Sequence, residues 1–301
     1  MDEAIIPGRL VVCALARDCA ASLEQNIPKI ERLRSRFSEA EVIIFENDSK
    51  DNTKQRVEEW SAMSTGVNLI SENYFTETIK ERDQNNPSPG TSIHRIQKMA
   101  KYRNRYIEWI NQQSSACDYV LVIDIDVRYF SVEGVVDAIK NAPTGWGGLF
   151  AYGYTDSRLM KLRFHKVYHD LYALLIKRPT SLPYVTFPQM FKNSKAIKSN
   201  IKDQPYYPVA SAFGGIGIYK FEAIKGLKYT CERNRDDVVE AICEHIPFNL
   251  QVLDRGFQHY ICKNMEVYYG ETSKIMVLRN VLPLKIFKLL AFLVTFKKLK
   301  A

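Results

Sequence analysis

The chain has no Cys-x-x-Cys pair, no low-complexity tract, no internal repeat and no apolar run long enough to span a bilayer. Its cysteines stand singly (Cys13, Cys19, Cys117, Cys231, Cys243 and Cys262), the pattern of reduced, mostly buried thiols in a cytosolic protein. The apolar stretch LVVCALA behind Arg9 is too short for a secretory core with a cleavage site and reads as a first strand. Glycine is missing from ALARDCAAS, just past that strand, where an enzyme gripping a triphosphate would place a Gly-rich loop with Lys or Arg. With 46% apolar and 25% charged residues, disorder is not the default either.

What is present is a basic chain of 301 residues with a formal charge of +8, which suits an anionic partner: nucleic acid, a membrane surface or a phosphorylated substrate. Part of the excess lies in Lys285, Lys288, Lys297, Lys298 and Lys300, so the balance by itself does not argue for nucleic acid.

The first half alternates strands (9–16, 41–45, 67–70 and 119–123) with helices (20–37, 51–61 and 92–112), and a turn-rich loop runs over 83–92. Such alternation implies βαβ units and a mainly parallel sheet, in which ligands bind at the carboxyl ends of the strands. In the second half we expect a strand within 145–154, a helix over 158–176 and a long loop with five prolines over 178–208. A Gly-rich turn into a strand (211–220) and a helix (236–255) follow.

Three strand ends carry polar clusters: Ala16, Arg17 and Asp18; Glu46, Asn47 and Asp48; Asp124 and Asp126. The buried-strand pattern DYVLVIDID closes in two acids two residues apart, which on an extended chain face the same side. Two carboxylates that close repel unless a cation sits between them, and Mg²⁺ or Mn²⁺ holding a diphosphate meets that need. The plainer reading is a helix cap near Ser131 with Asp124 exposed. Arg103 falls on the apolar stripe of its helix (Ile93, Ile96, Met99, Ile107, Ile110), where a charge is costly unless paired. A carboxylate or a ligand phosphate would serve. Glu244 and His245 are the residue types of general bases, though spacing alone favours a structural role. Gly214, Gly215 and Gly217 would let backbone approach a ligand closely or would simply build a turn.

Together, ENDSKDNT, KYRNRYIEWI, DYVLVIDIDV, GGIGIY and CEHIPFNLQVLDRG resemble a nucleotide-sugar-dependent glycosyltransferase of the GT-A fold, similar to the family 2 enzymes and more so to the fungal capsular (cryptococcal) mannosyltransferases. The resemblance covers about residues 10–270. It implies a Rossmann-like, mainly parallel α/β sheet flanked by helices, with a nucleotide-binding half at about 9–130 and an acceptor half at about 131–275, a single domain over 1–275. It implies Asp124 and Asp126 as the metal- and diphosphate-binding pair, with Mn²⁺ or Mg²⁺ as cofactor. Ala16, Arg17, Glu46, Asn47, Asp48 and Arg103 would line the nucleotide pocket, and Gly214 and Gly215 would flank the donor. Glu244 and His245 match an acid pair whose second member is the acceptor base in inverting enzymes. Here that member is histidine, so His245 as base or metal ligand, Glu244 as base, and a retaining reaction without a base all stay open.

The implied activity is hexose transfer from GDP-mannose or a UDP-hexose to a glycan or lipid-linked acceptor, with no nucleic acid partner. A sugar-phosphate nucleotidyltransferase and a non-catalytic carbohydrate-binding relative are the alternatives. The first lacks its glycine loop, and the intact acid pair argues against the second. The segment 276–301, LPLKIFKLLAFLVTFKKLKA with its short lead, is apolar and basic, interrupted by Lys288, and suits an amphipathic helix in a membrane interface. The plainer reading is a helix packed on the domain or on a second subunit; the expectation favoured here is a chain held peripherally on the cytoplasmic face of a membrane.

Overall fold

The computed structural model describes residues 5–77, 88–113, 117–159, 162–272 and 286. The tail expectation therefore lies, Ile286 apart, outside the described residues. The first half runs β1 (Ile6–Ala16), α1 (Ala20–Arg34), β2 (Phe37–Asn47), α2 (Thr53–Met63), β3 (Val67–Glu72), α3 (Ile93–Gln112) and β4 (Tyr119–Asp124). After it come β5 (Tyr129–Phe130), α4 (Val132–Lys140), β6 (Trp146–Leu159), β7 (Leu162–Tyr168), α5 (Phe187–Asn200), β8 (Tyr206–Pro208) and β9 (Ile216–Lys220). The remainder is α6 (Phe221–Ile224), β10 (Glu232–Arg233), β11 (Ala241–Ile242), α7 (His245–Asp254) and β12 (Gln258–Glu271).

One sheet of order β3-β2-β1-β4-β9-β6-β12-β5 carries the molecule, with β7 on β6 and β8 on β12. The expected parallel half is present: β1 pairs in parallel with β2 and β4, and β2 with β3. The second half is mixed, because β9 runs antiparallel to both β4 and β6. β4 is central, and its alternation feeds two cores. Val120 and Val122 join Tyr106, Ile107 and Phe248 on one face. Leu121 and Ile123 join Leu23, Ile30 and Val135 on the other. An apolar run without polar breaks is what a strand covered on both faces requires.

Register brings the strand ends level: Leu15 stands opposite Asp124, Ala16 opposite Glu46, and Glu46 opposite Ser71. The six cysteines are free, and only Cys231 is less than fully buried.

Three second-half expectations are corrected. The stretch 158–176 is not a helix: it holds the β6–β7 hairpin, in which Tyr154 pairs with Tyr168 and Thr155 with Val167, followed by a turn. Cross-strand pairing overrides the local aromatic pattern there. The expected loop 178–208 contains α5 and β8. Thr186 caps α5 by accepting from Gln189 N, and Pro188 sits in the first turn, where its missing N–H costs nothing. That segment is docked by fully buried Asn234, which accepts from Tyr184 N at 2.9 Å and donates to Val185 O at 2.6 Å. The helix expected over 236–255 begins only at His245, because Pro247 is tolerated in a first turn but not in an interior.

Candidate active site

The loops after β1 and β2 hold each other. Asp18 accepts from Lys50 N (2.7 Å), Asp51 accepts from Ala20 N (3.1 Å), and Thr53 Oγ1 accepts from Cys19 N (2.7 Å). Asp51 also accepts from Thr53 N at 2.9 Å, so this one carboxylate secures the starts of both α1 and α2. These clasps shape a cleft of about 680 Å³ whose walls include Ala16, Arg17, Asn47, Tyr102, Asp124, Asp126 and Tyr269. Tyr102 is stacked between Phe45 (5.3 Å) and Tyr74 (5.5 Å), giving that wall a rigid aromatic face.

A second cleft of about 780 Å³ adjoins it. Arg103, Asp124, His169, Asp170, Phe213, Glu244, His245 and Tyr269 are on its walls. Asp124 and Tyr269 belong to both, and Tyr269 Oη donates to Asp124 Oδ2 at 2.8 Å.

Asp124 ends β4, and Asp126 lies in the turn just beyond it, so both acids reach one cleft although only the first is in the strand. Neither caps α4, since Ser131 accepts from Gly134 N at 2.9 Å. Asp124 is recessed at the cleft floor although 31% of its side chain meets solvent. Burial raises its pKa to about 7, the Asp126 and Asp170 charges push the same way, and Arg103 and Tyr269 oppose them. Asp126 is exposed.

Arg103 is buried, and its partners are carboxylates: Nε donates to Glu244 Oε1 at 3.0 Å and Nη2 stands 3.8 Å from Asp124 Oδ1. Its guanidinium also lies over Phe213, 5.2 Å from the ring centre. The structural alternative weighed for Arg103 is thus realised, yet it is a pair that touches the acid at the seam of the two clefts. Arg103 holds the Glu244 carboxyl below the usual carboxylate range against the opposing effect of burial. His245 is stacked on Phe213 at 4.1 Å; among the described residues neither ring nitrogen has a hydrogen-bond partner, and Nε2 stands 4.0 Å from Glu244 Oε1. Burial and the nearby Arg103 lower its pKa to about 3.

Not every expected residue faces a cleft. Both carboxylate oxygens of buried Glu46 are taken, one by Ser49 N (3.0 Å) and one by Ser71 Oγ (2.6 Å), so it braces the turn from behind. Asp48 accepts from Tyr74 N and Phe75 N, which ties β3's exit to the same turn. Gly214 and Gly215 act through space. Gly215 O accepts from Asp124 N at 2.9 Å, and a Cβ on Gly214 would stand 2.3 Å from Ala151 O. Both have positive φ (64° and 91°), where side chains are strained.

Sequence reading missed Tyr102, His169, Asp170 and Tyr269. His169 and Asp170 follow β7 directly, a strand-end acid and imidazole hidden by the helical reading of that stretch. Asp170 Oδ2 accepts from Gly214 N at 3.2 Å, and the His169 ring lies 3.9 Å from that of Tyr269. Only a sheet topology would have brought Tyr269, near the end of β12, to Asp124.

A parallel half ending in clustered polar loops, a central strand closed by two acids and a mixed second half define a GT-A glycosyltransferase fold. The family model described as cryptococcal mannosyltransferase 1 matches residues 10–246, and the chain belongs to that family. Among solved structures it is similar to the mannosyltransferase PcManGT from Pyrobaculum calidifontis in complex with GDP-Man and Mn²⁺, at 13% identity and a TM-score of 0.46, over 87% of this chain and 57% of that one. It is also similar to S. aureus TarS in complex with UDP-GlcNAc, at 13% identity and a TM-score of 0.44, over 88% of this chain and 59% of that one. The chain thus spans less than two thirds of these solved relatives. No curated protein matches it.

Proposed function

We propose that the protein transfers a hexose, mannose first among candidates, from a nucleotide-sugar donor to a hydroxyl of a glycan or glycolipid. The observation that carries this reading is the seam: two clefts of substrate size meet at Asp124 and Tyr269, with Asp126 beside them. The donor would occupy the cleft of Ala16, Arg17, Asn47 and Tyr102, and the acceptor the cleft of Phe213, Tyr269 and His169.

Among the described residues, no three His, Cys, Asp or Glu side chains are gathered to cage a metal ion. The oxygen donors present still suit Mn²⁺ or Mg²⁺, which commonly bind through one or two carboxylates plus substrate phosphates. Asp124 and Asp126 would hold it, and once bound it would neutralise charge building on the leaving diphosphate. Arg17, on the wall of the donor cleft, stands between Asp18 (3.6 Å) and Asp48 (3.8 Å), which would hold its guanidinium toward the donor's diphosphate. Arg103, pinned by Glu244 and Tyr106, keeps Asp124 aimed at the seam.

Two obstacles meet Glu244 or His245 as acceptor base. Glu244 is committed to Arg103, and an imidazole with a pKa of about 3 takes a proton from a hydroxyl poorly. Under this reading the pair positions Arg103 and walls the acceptor cleft.

Calorimetric titration of UDP, GDP and CMP with and without Mn²⁺ tests the reading. One nucleotide is expected to bind more tightly with metal, GDP first by the family's name. Because the Asp124 carboxyl holds its proton up to about pH 7, a cation must displace that proton below this point. The metal-dependent part of the affinity should therefore rise as pH climbs through 7. If Mn²⁺ improves no nucleotide at any pH, the reading is rejected.

The basic tail is proposed to seat the enzyme on the cytoplasmic face of an anionic membrane, near a lipid-linked acceptor. Among the described residues no helix is long and apolar enough to cross a membrane. A chain truncated after Leu282 should lose flotation with vesicles containing phosphatidylserine. Unchanged flotation overturns the tail's role.

A further inference from the structure

The turn that carries Asp126 is held from the side opposite the clefts. Ile125, Asp126 and Val127 follow β4, and each of their carbonyls accepts a hydrogen bond from α1. Asn26 Nδ2 donates to Ile125 O at 2.9 Å and to Val127 O at 2.7 Å. Ser22 Oγ donates to Asp126 O at 3.3 Å. Ser22, Asn26 and Lys29 are spaced to share one face of the helix. Lys29 Nζ donates to Asn26 Oδ1 at 3.2 Å, so the amide oxygen faces the ammonium and the amide nitrogen faces the carbonyls. Lys29 in turn lies over the Tyr129 and Phe130 rings, 5.2 and 5.8 Å from their centres.

A fully buried asparagine satisfying two buried carbonyls would be explained by stability alone if the turn carried nothing. This turn carries the exposed acid of the pair. A loop residue has no ladder to hold it, and a cation shared by two carboxylates tolerates little misplacement. The same amide brackets Asp126 from the residue before and the residue after. We infer that Asn26, oriented by Lys29, is the positioning residue that sets Asp126 at its working distance from Asp124. This inference rests on the proposed role of the acid pair.

The test uses the full chain, with GDP and UDP as probes, with and without Mn²⁺. Asn26→Asp keeps the shape and removes both donors. It is expected to weaken metal-dependent diphosphate binding about tenfold, as lost support behind metal ligands usually does, and to leave metal-free binding unchanged. In an Asp126→Ala background the same substitution should add nothing. Equal loss with and without metal, or a full additive loss in that background, would show a merely structural asparagine and overturn the inference. If Asp126→Ala weakens binding and Asn26→Asp does not, the inference alone falls. If Asp126→Ala is silent, the reading of the acid pair falls and takes the inference with it. Should Asn26→Asp fail to fold, Ser22→Ala removes the bond to the Asp126 carbonyl from a half-buried position. A selective drop in metal-dependent affinity at unchanged melting temperature supports positioning, and no drop overturns it.

Discussion

Asp126→Ala is expected to lower the transfer rate at least about 1,000-fold, equivalent to about 4 kcal/mol of transition-state stabilisation, while leaving the chain folded. The two halves of that expectation have separate causes. Among the described residues the Asp126 side chain makes no hydrogen bond, and it is the backbone carbonyl that anchors the turn. Removing the carboxylate also removes a charge that pushes Asp124 upward, so melting should be unchanged or slightly higher. Activity lost with melting preserved separates this from general damage. Transfer at the normal rate would reject the pair as the diphosphate site.

The largest effect on stability is expected at Arg103. Its replacement by leucine leaves Glu244 buried without its cation and should cost about 3–5 kcal/mol in urea unfolding. Part of the loss comes from the Tyr106 hydroxyl, which accepts from Nη1 at 3.3 Å. Combining Arg103→Leu with Glu244→Gln should recover much of it, because the stranded charge is then gone. A pH dependence follows from the lowered Glu244 carboxyl. A group held below its ordinary value stabilises the fold above that value, and this stabilisation fades as pH falls. The gap between wild type and Arg103→Leu should therefore narrow in acid. An Arg103→Leu chain within about 0.5 kcal/mol of wild type, the range of ordinary surface changes, would mean the ion pair is not what holds this wall. The same substitution frees Asp124 on one side, so transfer should fall even where the variant remains folded.

The parallel half was legible because its signals are local and agree with each other. The run from Val120 to Ile123 ended in acids at a strand end, and Arg103 stood on an apolar stripe where its cost demanded a partner. The structure supplies that partner 141 positions away, in Glu244. Spacing within one helix announces that a partner exists and cannot say which. The mixed half resisted for a different reason. The stretch through Tyr168 is a strand only because β6 is there to pair with it, and aromatic-rich stretches are ambiguous until a neighbour is known. His169 and Asp170 went unnoticed with it. The prolines of 178–208 and Pro247 were read as loop or ignored, when Pro188 and Pro247 each sit in a helix's first turn. At Glu46 the strand-end position was legible, but the side chain's direction depended on Ser71 across β3.

The bond from Tyr269 to Asp124 spans 145 positions, and it bears on how the molecule comes into being. During synthesis β1 to β4 emerge before β9 and β12, and with the turn after β4 they hold both acids and most walls of the cleft of Ala16, Arg17 and Asn47. Yet β4 waits for β9 on its open edge, and Asp124 waits for Tyr269, near the end of β12. Closing contacts so distant along the chain is slow, and a half-made sheet exposes an unpaired edge meanwhile. The seam between the two clefts is therefore completed only with β12: a chain interrupted before it keeps both acids and lacks the hydroxyl that bonds Asp124.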